Sequence, residues 1–168
     1  PADTDLVSES GEDRRKFANA FISQMDREYL AAMQQYGRLL AQRNRLLKDH
    51  APDSGLLDIF DARMAPLAAL IAQARSRFAS DMLPIVQNYY REISGGREDV
   101  SIEYRTDLQK GGLEDVMRSH RERDLVLGYT TAGIQRDDFI FTMDGFPLRR
   151  CGSQGQQKSF LVALKFAQ

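Results

Sequence analysis

The sequence predicts an α+β fold, mainly α: an antiparallel helical hairpin attached to a partial β-sheet and a final helix. Three observations predict it. Apolar residues step by three or four along most of the chain up to about residue 93, the period of a helix with one buried face. Period-two runs bounded by turn residues follow, the pattern of half-buried strands. A small, polar, glycine-bearing loop then opens directly into an apolar helix over residues 159–168.

The elements follow in order. Ser10 with Asp13 three residues on resembles a capping box, and Phe17, Phe21 and Met25 then recur at helical spacing. After Asp26, Leu30, Met33, Leu40 and Leu47 form a second stripe, running to about Asp49. Residues 50–55 are a turn, punctuated by Pro52 and Gly55. Leu56, Phe60, Leu67, Ile71, Ala74, Phe78, Met82, Ile85, Tyr89 and Ile93 carry a long third helical pattern. Pro66 and Pro84 should kink that helix or break it into pieces, and Gly95-Gly96 ends it. Two long amphipathic helices joined by a short turn bury their stripes by running antiparallel, so residues 26–93 form a hairpin, a projecting arm.

Val100, Ile102 and Tyr104 alternate with polar residues as a strand, and a short helix begins near Leu113. Asp138–Met143 is a second strand. Asp144-Gly145 suits a two-residue hairpin turn, with Phe146–Arg149 returning as a short edge strand that tolerates Pro147. The division is therefore 1–96, the helical arm region, and 97–168, a mixed region with the hairpin and the final loop and helix.

Composition bounds the function. A chain of 168 residues with 42% hydrophobic residues can bury a real core, and a net charge of -1 gives no global pull toward nucleic acid. One cysteine excludes an internal disulfide and fits a reducing, cytoplasmic compartment. No apolar run reaches the roughly 20 residues that span a bilayer, so no membrane partner is expected. His50 and His120 lie far apart without Cys or Glu at metal-ligand spacing, so no metal site is expected. Cys151 is a packing residue rather than a nucleophile, having no evident histidine to activate it.

The chemistry is concentrated in Ser153-Gln154-Gly155-Gln156-Gln157-Lys158. Gly155 lets backbone approach an anion, a helix starting there directs free N–H groups and a positive dipole end at it, and Ser153 and Lys158 add a hydroxyl and a charge. An ordinary helix cap built on serine and glycine has the same composition. Local charge is a second signal. Between Asp13 and His50 the bases are Arg14, Arg15, Lys16, Arg27, Arg38, Arg43, Arg45 and Lys48, against Asp13, Asp26, Glu28 and Asp49: eight to four. Arg14, Arg15, Arg38, Arg43, Arg45 and Lys48 are candidate contacts to DNA phosphate, and a solvated helix face is the plainer alternative.

The loop string, followed by Leu161, Ala163, Leu164 and Lys165, resembles the ABC-type signature motif of the RecF family of SMC-like ATPases. Asp5-Leu6-Val7 with Arg14-Arg15-Lys16-Phe17 resembles that family's segment near the base of its arm. Tyr29-Leu30, Tyr36 and the run from Leu40 to Lys48 resemble its arm helix. Gly128-Tyr129-Thr130, Gly133 and Arg136-Asp137-Asp138 resemble the segment before its hairpin. Where that family reads Gly-Pro-His-Arg-Asp-Asp, this chain has Ile134 and Gln135 in place of the proline and histidine. Arg136 and Asp137 are retained and could form an ion pair. Other SMC proteins have far longer coiled coils than this hairpin.

The resemblance implies a fragment: arm (lobe II) over 1–96 and part of an ATPase head over 97–168. The parent it implies is a weak ATPase using ATP and Mg²⁺, and a cytoplasmic, nucleoid-associated bacterial protein of DNA repair and the SOS response. Its implied partners are double-stranded DNA and single/double-strand junctions, a second protomer in an ATP-dependent homodimer, and RecR, with RecO and RecA functionally. ATP would be sandwiched between protomers, with Ser153, Gly155 and Lys158 of one facing the γ-phosphate held by the other, and Gln154 and Gln156 shaping the loop. No Gly-x-x-x-x-Gly-Lys-Ser/Thr loop occurs in residues 1–168. No bound cofactor, and no catalytic residue, is therefore expected in this chain alone. A non-enzymatic helical adaptor binding a partner through its hairpin is the alternative.

Overall fold

The computed structural model describes residues 11–49 and 52–166. It is mainly helical with a small antiparallel sheet, as expected. The elements are α1 (Gly11–Met25), α2 (Arg27–Leu47), α3 (Ser54–Ser94), β1 (Val100–Arg105), α4 (Leu113–Leu127), β2 (Asp138–Met143), β3 (Phe146–Pro147), α5 (Leu148–Cys151) and α6 (Gln154–Phe166). The proposed caps at Ser10 and the segment Asp5–Val7 lie outside the described residues, as does His50.

The chain packs as two units, each discontinuous in sequence. One comprises the chain to Phe21, Arg75–Arg105 and the chain from Asp138; the other comprises Ile22–Ala74 and Thr106–Asp137. Packing thus does not follow a single cut at residue 96. The reason is pairing across distance: β1 finds its partner in β2, on the far side of α4 in the sequence.

In the sheet unit the strands lie in the order β1-β2-β3. Val100, Ile102 and Tyr104 pair with Met143, Phe141 and Phe139, so one apolar face is formed in register. Met82, Val86 and Tyr90 of α3 and Phe160, Ala163 and Leu164 of α6 belong to the same core. Phe141 and Phe160 approach to 4.8 Å between ring centres. Asp144 and Gly145 have φ of 50° and 84°, the hairpin turn that dipeptide favours. The return strand is shorter than expected. Only Phe146–Pro147 pairs, because Pro147 has no N–H to extend the ladder and Leu148, fully buried, turns the chain into α5.

The helical unit corrects one expectation and the long helix corrects another. On α2 the buried residues are Tyr29, Ala32, Tyr36, Leu39, Arg43 and Leu47, while Leu30 is exposed and Met33 and Leu40 are half-buried. The stripe lies on an adjacent face, because two tyrosines and an arginine anchor it. The long helix α3 is one continuous element of 41 residues, not broken at Pro66 or Pro84. Both prolines sit on its exposed face, as do Ala62 and Ser80 four residues earlier, where the carbonyl that loses its partner can bond water. Its buried stripe runs Leu57, Asp61, Met64, Ala68, Ile71, Arg75, Ala79, Met82, Val86 and Tyr90, leaving Leu56, Ile85 and Ile93 exposed.

Arg43 is the centre of the helical unit. Its Nε donates to Asp61 at 2.8 Å, and its Nη1 donates to Asp124 and Thr130, each at 2.9 Å. Arg121 reaches Asp61 at 2.8 Å and Asp58 at 2.6 Å. Asp124 also accepts from the N–H and hydroxyl of Thr131, and Asn44 accepts from those of Thr130. One buried guanidinium thereby ties α2 to α3, α4 and the segment after α4.

Candidate functional site: the loop before the last helix

The loop grows out of the sheet unit. Leu148 is fully buried and fixes α5, and Gly152 passes close over it: a Cβ at 152 would lie 2.8 Å from both the Leu148 carbonyl oxygen and its Cδ1. Only glycine fits there, which sets where Ser153 emerges. Ser153 and Gln156 then cap each other. The Gln156 N–H donates to Ser153 Oγ at 3.2 Å, and the Ser153 N–H donates to Gln156 Oε1 at 2.8 Å. This is the reciprocal capping box of a helix start. Gln156 is held further by donating to Glu98 at 2.9 Å, and Gln157 by donating to the Gly152 carbonyl at 3.2 Å.

The outward side of this start is open. Ser153, Gln154, Gly155 and Lys158 are exposed, and Gln156 is half-buried. A Cβ built at Gly155 would meet only Ser153 Oγ, at 3.9 Å. The first turn of α6 carries no acid, and Lys158 forms no ion pair among the described residues. The opposite side of α6 buries Phe160, Leu161, Ala163 and Leu164. A rigidly capped, positively polarised helix end with an accessible glycine and an unneutralised cation one turn in is chemically suited to an anion. Ser153 Oγ accepts from Gln156 and still has its own proton to donate. Gln156 visibly shapes the loop, whereas Gln154 makes no side-chain hydrogen bond among the described residues.

The basic candidates separate by burial. Arg14 is 5% exposed and grips Asp138 with two hydrogen bonds, at 2.8 and 3.1 Å. Arg43 is 0% exposed. Neither presents charge to an external phosphate, because each is spent on a carboxylate inside the protein. Arg15 is half-buried, whereas Arg38, Arg45 and Lys48 are exposed. Arg136 is exposed and its neighbour Asp137 is buried, so the two do not share an environment. Gln135, in place of the expected histidine, accepts from the Tyr36 hydroxyl at 2.7 Å and donates to the Ala132 carbonyl. His120 hydrogen-bonds Thr131 at 3.1 Å. Nothing is described of the Cys151 side chain.

A shallow recess of about 160 Å³ in the sheet unit was not foreseen. Arg14, Arg105, Arg149 and Arg150 line it over Ile140, Phe141 and Pro147. Arg105 is paired there with Glu103, whose hydrogen bonds and charge raise the guanidinium pKa further. Residues so scattered in sequence give no local signal.

No family model matches the chain. Curated relatives do. The chain is 40% identical over its whole length to the DNA replication and repair protein RecF of Parabacteroides distasonis, and 40% identical to that of Phocaeicola vulgatus. It covers 46% of each, so it spans about half the length of the curated relatives it matches. Solved structures of the recombination mediator protein RecF in the RecFOR pathway, one with ATP and one designated RecF-ATPrS, superpose with a TM-score of 0.92 at 28% identity, covering 99% of this chain and 48% of theirs. Similarity of sequence end to end, together with the same fold, places this chain in the RecF family.

Proposed function

We propose that the protein to which this chain contributes is an ATP-dependent DNA-binding protein of replication and recombinational repair, acting at single-strand gaps and stalled forks. The part of this reading that its relatives' names support is replication and repair: they are named DNA replication and repair proteins. Two protomers enclose ATP between them, and Ser153–Lys158 of one faces the γ-phosphate held by the other. The open, acid-free, capped start of α6 is the single observation that carries this reading. ATP supplies the phosphoryl group and the charge that the two surfaces share, and Mg²⁺ has no ligands in this loop. Ser153 donates its hydroxyl proton, Gly155 lets backbone N–H groups come close, and Lys158 balances charge. Gln156 holds the loop in shape through Ser153 and Glu98.

Arg38, Arg45 and Lys48, the exposed candidates, contact DNA phosphate in this reading. RecA loading with RecO and RecR, and a cytoplasmic, nucleoid-associated location, belong to the same proposal. No helix among the described residues is long and apolar enough to cross a membrane. The test is nucleotide-dependent dimerisation of the full-length protein. Ser153→Arg should leave nucleotide binding by each monomer intact and abolish dimerisation. Ser153→Ala, which loses only the hydroxyl, should weaken dimerisation without abolishing it. Normal dimerisation of Ser153→Arg would sink the proposal.

A further inference from the structure

In the helical unit α2 and α4 end side by side: a Cβ at Gly128 would lie 4.0 Å from the Leu47 carbonyl oxygen. A groove of about 610 Å³ opens there, lined by Lys48, Asp49 and Pro52 together with the last turn of α4 and Tyr129. An exposed helical turn is ordinarily polar, and this one is not. Leu125, Val126 and Leu127 are all exposed, and Val126, at 84%, is more exposed than any other large apolar side chain among the described residues. Tyr129 is exposed beside them. The turn is also electrically unbalanced. α4 has no basic residue in its last turn, and the carbonyls of Leu125, Val126 and Leu127 accept no backbone N–H among the described residues. The α2 end differs, closing with Arg45 in its last turn and Lys48 as its cap. Asp49 adds a carboxylate to the groove and forms no ion pair among the described residues.

We propose that this groove receives a short segment of a partner protein. Its apolar side chains cover Leu125, Val126 and Tyr129, and a lysine or arginine among them sits against the free carbonyls of α4 and Asp49. Two independent properties select that occupant. Contiguous exposed apolar side chains rimmed by polar ones mark a surface that another molecule covers. The C-terminal end of a helix carries roughly half a negative charge on its unpaired carbonyls, and a cation from outside supplies what the last turn of α4 lacks. An acidic segment is a poorer match, because it meets that helix end and Asp49 with only Lys48 to offset them. A second copy of this chain is poorer still. A symmetric contact would place the same turn opposite itself, bringing two α4 C-termini and two Asp49 carboxylates together.

The experiment is binding of fluorescent peptides to the full-length protein without nucleotide. The probes are about 14 residues long, roughly four helical turns. One is an amphipathic Leu/Lys peptide, one its Leu/Glu counterpart, and one a Leu/Lys peptide of the same composition with its apolar face scrambled. Wild type should bind the first saturably and at least about tenfold more tightly than the other two. Val126→Lys removes the apolar contact and supplies the missing cation, so it should weaken that binding by about tenfold or more. Val126→Ser and Asp49→Asn each remove one contribution and should weaken it by about three- to tenfold. Val126→Lys should melt no lower than wild type, because the side chain is exposed. A lower melting point would overturn the proposal by showing that another part of the protein already covers this turn. Unchanged peptide binding in Val126→Lys would overturn it, as would equal binding of the Leu/Glu peptide or no binding of the Leu/Lys peptide by wild type. Dimerisation of wild type without nucleotide that Val126→Lys abolishes would overturn it in favour of a second copy. None of these outcomes touches the role proposed for Ser153–Lys158, which is read with nucleotide present.

Discussion

Replacing Arg43 with methionine should destabilise the helical unit by about 3 to 5 kcal/mol, because it leaves a buried carboxylate uncompensated. The structure says which one. Asp61 keeps Arg121 at 2.8 Å after the loss. Asp124, 0% exposed, keeps the Thr131 N–H and hydroxyl on Oδ1 but loses the cation that neutralised Oδ2. Arg43→Lys retains the charge, but one ammonium cannot span both carboxylates as the guanidinium fork does, so a smaller loss of about 1.5 to 3 kcal/mol is expected. Asp58→Asn should cost at most about 1 kcal/mol, because Asp58 is 58% exposed and its pair with Arg121 is screened. Amide exchange on α2 and α4 is the appropriate assay, since a chain of two units need not unfold in one step. Adding Asp124→Leu to Arg43→Met removes the stranded charge, so the double variant should lose less than the two single losses summed. A loss under about 1 kcal/mol for Arg43→Met, or strict additivity with Asp124→Leu, would refute the claim that this ion cluster holds the unit together.

Three further outcomes are expected. Pro66→Ala should raise stability by up to about 3 kcal/mol, read as a higher urea midpoint, since the proline interrupts a continuous helix on its exposed face. Gly133→Ala should cost more than about 1 kcal/mol in thermal or urea unfolding, because residue 133 has a φ of 121° and its Cβ would lie 2.6 Å from the Tyr36 hydroxyl and 2.7 Å from Gln135 Oε1. Burial, reinforced by Glu98 and Asp144, raises the Tyr90 hydroxyl above its ordinary 10.0. The unfolded chain therefore releases that proton first, and stability is flat below about pH 10 and falls as pH rises beyond it. Tyr90→Phe should lose that part of the alkaline fall, and an unchanged difference between wild type and variant across pH 9–11 would contradict the assignment.

Helix existence, strand positions and the hairpin turn were legible because each rests on a local pattern. Val100–Tyr104 and Phe139–Met143 alternate, and Asp144-Gly145 supplies two positive φ values. The faces of α2 and α3 were harder to read. Their buried stripes include Arg43, Asp61 and Arg75, which count as polar in any hydrophobic pattern and are buried only because partners elsewhere in the chain satisfy them. For Arg43 those partners lie 18 residues away at Asp61 and 81 at Asp124, so no local window contains the information. The same effect misassigned Arg14 and Arg43 as surface charge. The loop was legible in composition; the reciprocal Ser153–Gln156 hydrogen bonds are those of the plain reading, a helix cap, and the anion-facing role is a proposal about the side that the cap leaves open. The cap fixes the loop, and the side it leaves open is the one available to a ligand.

Complementation between two inactive full-length variants tests most directly whether this loop acts across a dimer. One variant carries Ser153→Arg; the other carries a disabling substitution where the full-length protein is proposed to hold the γ-phosphate. Neither should dimerise with nucleotide alone. Mixed, they restore one composite site, made of the intact γ-phosphate-holding side of the first and the intact Ser153 loop of the second. Nucleotide-dependent heterodimers, detected by ultracentrifugation of differently labelled chains, are the predicted result. Absence of heterodimers from two folded variants, with nucleotide still bound by the Ser153→Arg chain, would contradict a role for Ser153–Lys158 at the nucleotide of the opposite protomer.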